Sequence, residues 1–96
     1  MTIKMIKFGY VLTSRQAGKD AYAAFLPTLS EVKSGEEVAV DFEGVNVFSP
    51  SWGDEFLTPL HEKFGDVLTL TNASNPSVAL TLETLEDIHG YKFKVA

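Results

Sequence analysis

Short apolar runs alternate with longer segments of helical periodicity along this chain, and that alternation constrains its fold more than any other feature. Val38 to Phe42 is the clearest run, and its β-branched residues without clean polar alternation indicate a central strand covered on both faces. Val67 to Leu70 is a second short run of the same kind. A helical pattern that begins near Ser51 lies between them. Strand, helix, strand in this order predicts a parallel or mixed sheet with helices packed on it.

The first predicted helix follows a capping box. Thr13 and Gln16 stand three residues apart, so the threonine can satisfy a first-turn N–H while the glutamine reaches back to the threonine amide. The apolar stripe after them contains small residues that permit close packing, and it comprises Ala17, Ala21, Ala24, Phe25, Leu29 and Val32. Pro27 lies within this pattern and predicts a kink or a restart. We expect Gly35 to end the segment.

Two more helices and one bent extended segment complete the prediction. The second helix carries an apolar stripe of Trp52, Phe56, Leu57, Leu60 and Phe64 and ends at Gly65-Asp66. The third starts at Asn75-Pro76, carries Val78, Leu82, Leu85 and Ile88, and stops at His89-Gly90. The extended chain from Thr2 to Leu12 should bend near Gly9. We therefore expect one α/β domain over residues 1–96, a sandwich with a mixed, mostly parallel sheet of four to five strands and about three helices.

Composition narrows the classes of function. The chain has no cysteine, which excludes disulfides, thiolate metal sites and a cysteine nucleophile and fits a cytoplasmic protein. Its net charge of -5, with eight scattered basic residues, argues against nucleic acid or an anionic membrane as the main partner. Lysines near the two ends are typical of solubilised sheet edges, and they are Lys4, Lys7, Lys92 and Lys94. Neither a signal peptide nor a membrane-spanning run is expected.

The residues that catalysis or metal binding would need are sparse. His61 and His89 are the only histidines, and their separation does not match metal-ligand spacing. Ser51 and His61 lie more than two helical turns apart, too far for a nucleophile with its base. We expect His61 on the exposed flank of its helix and His89 at a helix C-terminus. The sequence therefore predicts a non-enzymatic protein without a metal or cofactor.

Polar residues that point to a functional surface are concentrated from Ser49 to Glu55. Ser51 suits an N-cap, with Asp54 completing a capping box. A phosphate on Ser51 would instead add about -1.5 to -2 charges where the helix dipole tolerates an anion, although Asp54 and Glu55 would repel it. Trp52 starts the apolar stripe, which favours burial, and the alternative is a partly exposed anchor for a partner.

Four short motifs together resemble the STAS-like domain family of unknown function, which is found in bacteria and is related to the STAS domains of anti-sigma-factor antagonists. They are the helix start Ser14-Arg15, the strand end Asp41 to Val45, the helix start Ser49 to Glu55, and Asn72 at the end of a strand. Gly18 stands where the family has an alanine three residues after the arginine, and the alanine falls one residue earlier. The resemblance covers roughly residues 9–88.

The resemblance implies a regulatory module that binds another protein. In regulatory STAS proteins a partner kinase phosphorylates a serine at this helix start, and the charge state of that serine decides whether the partner is held or released. The matching residue here is Ser51, with Ser49 replacing the usual aspartate and Trp52 the usual glycine. We expect Ser51 to be a conditional phosphorylation site. Ser49, Trp52, Asp54 and Glu55 would then contact a histidine-kinase-like ATPase or an anti-sigma-type kinase.

The second hypothesis is a domain that binds a small ligand or nucleotide. Helix N-termini at Ser51 and Asn75 would converge above the strand ends to hold an anion. Asn72, Ser74 and Asn75 would line that site together with Ser49. Nucleotides or anions should then raise the thermal stability of the domain. The sequence leaves the oligomeric state and the identity of any partner open.

Overall fold

The computed structural model describes residues 1–96 and contains five short strands and three α-helices. The strands are β1 (Thr2–Lys4), β2 (Val11–Leu12), β3 (Val38–Asp41), β4 (Val47–Phe48) and β5 (Leu68–Thr71). The helices are α1 (Arg15–Leu29), α2 (Pro50–Phe64) and α3 (Pro76–His89), and 3-10 turns cover Met5–Phe8 and Gly65–Val67. The predicted α/β class and the three helices are confirmed. None of these helices has the length and apolar character needed to cross a membrane.

The strands form two separate parallel sheets. One has the order β1-β3-β5 and the other pairs β2 with β4. Val40 of β3 lies between Ile3 and Leu70, which confirms the predicted central position of this strand. Val95 adds a single parallel bridge to Leu70. The predicted mixed sheet of four to five strands was therefore too large, since the larger sheet has three strands and every pairing is parallel.

Two adjacent bends explain why one sheet becomes two. The 3-10 turn Met5–Phe8 separates β1 from β2, and the turn after Asp41 separates β3 from β4. Gly44 in the second bend has φ +86, a conformation that suits glycine, and a Cβ there would lie 3.2 Å from the Cδ1 of Ile6 in the first bend. Because the two segments bend side by side, the pairing of β1 with β3 in the first sheet stops at the bends. Strand pairing between the same two segments resumes in the second sheet, where Val11 pairs with Val47.

Aromatic side chains fill the core beside α1 and α2. The rings of Trp52 and Phe56 stack with centroids 5.1 Å apart. Phe8 and Phe48 approach Trp52 with centroid separations of 5.9 and 5.8 Å. Tilted and edge-on aromatic pairs of this kind stabilise a core beyond the area they bury. The predicted apolar stripe of α2 is confirmed, with Trp52, Phe56, Leu57 and Leu60 buried and Phe64 partly buried.

The start of α1 differs from the prediction. Ser14 caps the helix, since its Oγ accepts a hydrogen bond from the Ala17 N–H at 3.1 Å. Gln16 donates to Asp20 one turn further along, at 2.8 Å, instead of reaching back. The predicted Thr13 capping box is therefore wrong. The helix begins one residue later than that box requires, and the glutamine finds a partner on its own face.

The buried face of α1 also departs from the predicted stripe. The buried residues are Gly18, Phe25 and Leu29, whereas Ala17 and Ala24 are exposed. The helix passes through Pro27 and ends at Leu29, so neither the restart at Pro27 nor the stop at Gly35 occurs. The N–H of Ser30 still donates to the carbonyl of Leu26 at 3.0 Å. A proline this close to the end removes only one hydrogen bond and leaves the last turn intact.

Both ends of α3 match the prediction. Asn75 caps it, with Oδ1 accepting from the N–H groups of Ser77 at 2.7 Å and Val78 at 3.3 Å. Gly90 ends it in the left-handed region, at φ +72. Ile88 is the exception in the predicted stripe, because its side chain is 64% exposed.

Candidate functional site

The polar turn leads into α2 two residues earlier than predicted. Ser49 is the N-cap, and its Oγ accepts a hydrogen bond from the Trp52 N–H at 3.3 Å. Pro50 occupies the first helical position, where its fixed φ and missing N–H are favourable. Ser51 is therefore a half-buried residue of the first turn, with its Oγ 3.2 Å from that of Ser49. The predicted Ser51 cap and its capping box with Asp54 are wrong.

Trp52 points into the protein and is only 2% exposed, which confirms the predicted burial. It leaves no exposed ring for a partner, so the alternative of an exposed anchor is wrong. Its backbone also contacts α1, because a Cβ added to Gly18 would lie 2.9 Å from the Trp52 Cα and closer still to its carbonyl oxygen. The glycine at the family's alanine position therefore allows α1 to approach the first turn of α2 very closely.

Asp54 connects all three helices. Its Oδ2 accepts a hydrogen bond from Arg15 Nη1 at the start of α1, at 3.1 Å. Its Oδ1 accepts from the Thr58 hydroxyl at 2.8 Å and lies 2.7 Å from Nε2 of His89 at the end of α3. The Thr58 hydroxyl is in turn 3.2 Å from that of Tyr91. We call these five residues the Asp54 cluster.

Hydrogen bonds determine the charge state within the Asp54 cluster. Burial favours the neutral form of Asp54, but the bonds to His89, Thr58 and Arg15 outweigh it and hold the pKa of this carboxyl below its usual value. The bond to Asp54 raises the pKa of the Arg15 guanidinium. Glu55 lies 3.5 Å from the same guanidinium nitrogen. Two carboxylates at the start of α2 therefore share one arginine.

A second polar pair lies at the carboxyl ends of β3 and β5. Asn72 Nδ2 donates to Asp41 Oδ1 at 2.8 Å, and the Glu43 N–H donates to the same oxygen at 2.9 Å. These bonds, that of Asn72 above all, lower the pKa of Asp41. Asn72 has φ +53, a left-handed conformation that asparagine adopts more readily than most residues. The parallel sheet thus brings together two polar residues that are 31 positions apart.

Three of the four residues predicted for a ligand site, Ser49, Asn72 and Asn75, have partners within the chain. Asn75 Oδ1 caps α3, and its Nδ2 donates to the carbonyls of Val45 and Asn46 at 3.2 and 3.3 Å. Ser49 caps α2. Ser74 is exposed and lines neither of the two concave regions of the surface.

Both concave regions lie away from the polar turn. The larger, of about 830 Å³, is bordered by the loop after α1 and the end of α2, and the smaller, of about 480 Å³, by α3 and Val95. Ser49, Ser51, Asn72 and Asn75 line neither of them. The geometry thus gives the ligand hypothesis no cavity at its predicted residues.

The two histidines take part in one aromatic stack. His61 stacks on Tyr91 with centroids 4.1 Å apart, and His89 lies 5.4 Å from the same ring. His61 is therefore half-buried and does not lie on an exposed flank as predicted. His89 does end α3, as predicted. No group of three or more histidine, aspartate or glutamate side chains is placed to hold a metal ion.

Comparison with known proteins identifies the family. A family model described as the STAS-like domain of unknown function (DUF4325) matches residues 18–78, nearly two thirds of the chain. The chain belongs to this STAS-like family. A search of curated proteins and a search of solved structures gave no significant match.

Contacts between distant segments join the four motifs of this STAS-like domain in pairs. Arg15 at the first helix start bonds to Asp54 in the Ser49 to Glu55 motif. Asn72 bonds to Asp41 in the strand-end motif. The family match begins at Gly18, so Ser14-Arg15 lies just before it. Each of the four motifs thus supplies one partner of a hydrogen bond between segments more than 30 residues apart.

Sequence reasoning missed most of the Asp54 cluster. The sequence pattern places Arg15 only at a helix start and His89 only at a helix end, and it indicates no functional role for Thr58 or Tyr91. The sequence contained one signal for this cluster. One family motif carries an arginine, Arg15, and another carries two acidic residues, Asp54 and Glu55, so their opposite charges favour a contact. The bond between His89 and Asp54 spans 35 positions and leaves no local pattern in the sequence.

Proposed function

We propose that this STAS-like domain is a non-enzymatic regulatory module that binds a partner kinase through the first turn of α2 and is switched by phosphorylation of Ser51. The partner would be a histidine-kinase-like ATPase or an anti-sigma-type kinase. The observation that carries the proposal is the position of Ser51 within the first turn of the helix, with Ser49 as the cap. Phosphorylation there would leave the helix cap in place, since the capping oxygen belongs to another residue.

The charges around Ser51 support the proposal more than the sequence alone did. Asp54 and Glu55 should repel a phosphate in the same helical turn. Arg15 lies within 3.1 Å of one and 3.5 Å of the other, and so offsets part of their charge. The N-terminal end of the helix dipole favours an anion as well. The local electrostatics therefore tolerate a phosphoserine at Ser51.

Exposed apolar residues beside the turn favour a protein as the partner. β4 leads directly into Ser49, and the paired residues Val11 and Val47 on β2 and β4 are 58% and 39% exposed. Tyr10, which precedes β2, is 65% exposed. A patch of exposed apolar and aromatic side chains beside polar residues is typical of protein interfaces.

The switch requires one phosphoryl transfer, catalysed by the partner. The Ser51 Oγ forms a bond to the γ-phosphorus of a nucleoside triphosphate, and the bond from that phosphorus to the bridging oxygen breaks. The nucleoside diphosphate leaves, and the hydroxyl proton passes to a base of the kinase. The domain contributes only the attacking hydroxyl. It is therefore a substrate and a ligand in this reaction, and not an enzyme.

Labelling with the native partner tests this function. The immobilised domain would be used to capture a kinase from the host, and the purified kinase would then be incubated with the domain and γ-labelled ATP. We expect label on the wild-type domain and on the control Ser74→Ala, but none on Ser51→Ala. We also expect Ser51→Asp to change the affinity for the partner by about tenfold or more, which corresponds to about 1.4 kcal/mol. Label retained by Ser51→Ala, or no kinase of this type that binds, would refute the proposal.

A further inference from the structure

We infer that Arg15 is the residue that binds the phosphate on Ser51, an inference that rests on the proposed phosphorylation. Its guanidinium would exchange its present contacts with Asp54 and Glu55 for the phosphate. Phosphorylation would then change the electrostatic link between α1 and α2 as well as the charge of the turn.

The geometry brings Arg15 within reach of Ser51. Ser51 precedes Asp54 by three residues and Glu55 by four, so the three side chains lie on one face of α2, with Cβ atoms about 5–6 Å apart. Arg15 Nη1 contacts both carboxylates, which places its guanidinium beside the face of α2 that carries Ser51. The close backbone contact between Gly18 and Trp52 fixes the start of α1 beside this turn. The arginine side chain is 57% exposed, so it can change rotamer without displacing residues of the core.

Asp54 can release Arg15 at little cost. The arginine bonds only to Oδ2, while Thr58 and His89 both contact Oδ1 and keep the carboxylate partnered. A phosphate carries more charge than a carboxylate and offers three acceptor oxygens to the fork of N–H donors on arginine. Arg15 is also the one basic side chain of α1 or α2 that forms an ion pair with the acidic residues in this turn. The exchange therefore favours the phosphate.

Titration of the phosphate tests the contact without any partner protein. Phosphoserine would be incorporated at position 51 during synthesis, and the phosphate would be followed by ³¹P NMR from pH 4 to pH 9. A nearby arginine stabilises the dianion, so we expect a midpoint about half a pH unit lower in the wild type than in Arg15→Gln. Lys33→Gln removes a lysine from the loop after α1 and serves as the control. Equal midpoints in Arg15→Gln and Lys33→Gln would overturn the inference.

A second measurement follows the Asp54 carboxyl. If Arg15 leaves Asp54, the carboxyl loses one of the bonds that lower its pKa. A phosphate on Ser51 also raises this pKa by its own charge, in the wild type and in Arg15→Gln alike. The pKa of Asp54, measured from its side-chain ¹³C shift, should therefore rise more on phosphorylation in the wild type than in Arg15→Gln. Equal rises would show that the arginine stays in place. No kinase is present in either titration, so a negative result here would refute the role of Arg15 and leave the proposed function intact. If the kinase labelling of Ser51 failed instead, the proposed function would be refuted, and the titrations would still report whether Arg15 binds the phosphate.

Discussion

The first two turns of α2 present two faces that differ in almost every physical property. The inward face carries Trp52, Gly53 and Phe56, all buried, with neighbouring rings and backbone in direct contact. The outward face carries Ser51 and Asp54, which are partly exposed and joined to their surroundings by hydrogen bonds. A substitution on the inward face leaves a cavity or a clash, because the close packing there cannot adjust. On the outward face, water can replace a hydrogen bond that a substitution removes.

This difference divides the helix-start motif into two parts with separate roles. Its aromatic residue holds the helix in the core, which is a structural role. Its second serine and its aspartate are partly exposed to solvent, which suits the proposed regulatory role. Substitutions of Trp52 and of Ser51 should therefore separate stability from partner binding.

Trp52→Ala should have the largest effect on stability. Removing a fully buried tryptophan costs about 3–5 kcal/mol in free energy of unfolding, because transfer energy is lost and a cavity remains. Urea denaturation followed by circular dichroism measures the change. The exposed Leu80→Ala is the control and should change stability by less than about 0.5 kcal/mol. A loss below about 1 kcal/mol for Trp52→Ala would mean that the inward face is not tightly packed.

Gly18→Ala should be the next most damaging change. The added methyl group would overlap the backbone of Trp52, so α1 has to move away from α2, at a cost of about 2–3 kcal/mol. Gly65→Ala is the matched control, since Gly65 has helical backbone angles and the nearest atom to its new Cβ lies 3.5 Å away. We expect the control to be neutral within about 0.5 kcal/mol. Similar thermal shifts for the two variants would argue against close backbone contact between α1 and α2.

Local patterns predicted the helices and the central strand because those features depend on residues that are near each other in sequence. Asn75-Pro76 and Gly90 defined both ends of α3 correctly. The start of α2 was placed two residues late, because Ser49 and Ser51 are equally good caps by type. Only the position of Pro50 between them, at the first helical residue, distinguishes the two.

The division into two sheets and the Asp54 cluster depend on contacts between distant segments. Gly44 packs against Ile6 across 38 positions, and this contact between the two bends divides the sheet. His89 reaches Asp54 from the last turn of another helix. Neither contact leaves a periodic signal in the sequence. The location of the candidate surface was thus predictable, whereas the arginine and histidine that shape its charge were not.

Asp54→Asn should have an intermediate effect that depends on pH. The folded-state pKa of Asp54 is lowered, so its contribution to stability is fully present above the ordinary aspartate pKa of about 3.9 and is lost as the pH falls below it. We expect the variant to be about 1–2 kcal/mol less stable at pH 7 and to approach the wild type toward pH 3. Urea titrations at intervals of half a pH unit measure this. Asp87→Asn, an exposed α3 residue outside every ion pair, is the control. A constant difference between Asp54→Asn and the wild type across this range would exclude the charge of Asp54 as the cause.

The two serines of the turn should give the smallest and most discriminating pair of effects. Ser49→Ala removes the oxygen that caps α2 and should cost about 1 kcal/mol. Ser51→Ala removes a hydroxyl whose hydrogen bond is to Ser49, so it should stay within about 0.5 kcal/mol of the wild type. Thermal unfolding of the two variants side by side compares them directly. A larger loss of stability for Ser51→Ala than for Ser49→Ala would mean that Ser51, and not Ser49, caps the helix. In that case phosphorylation would have to disrupt the helix start, and Ser51 would lose the independence from stability that the proposed switch requires.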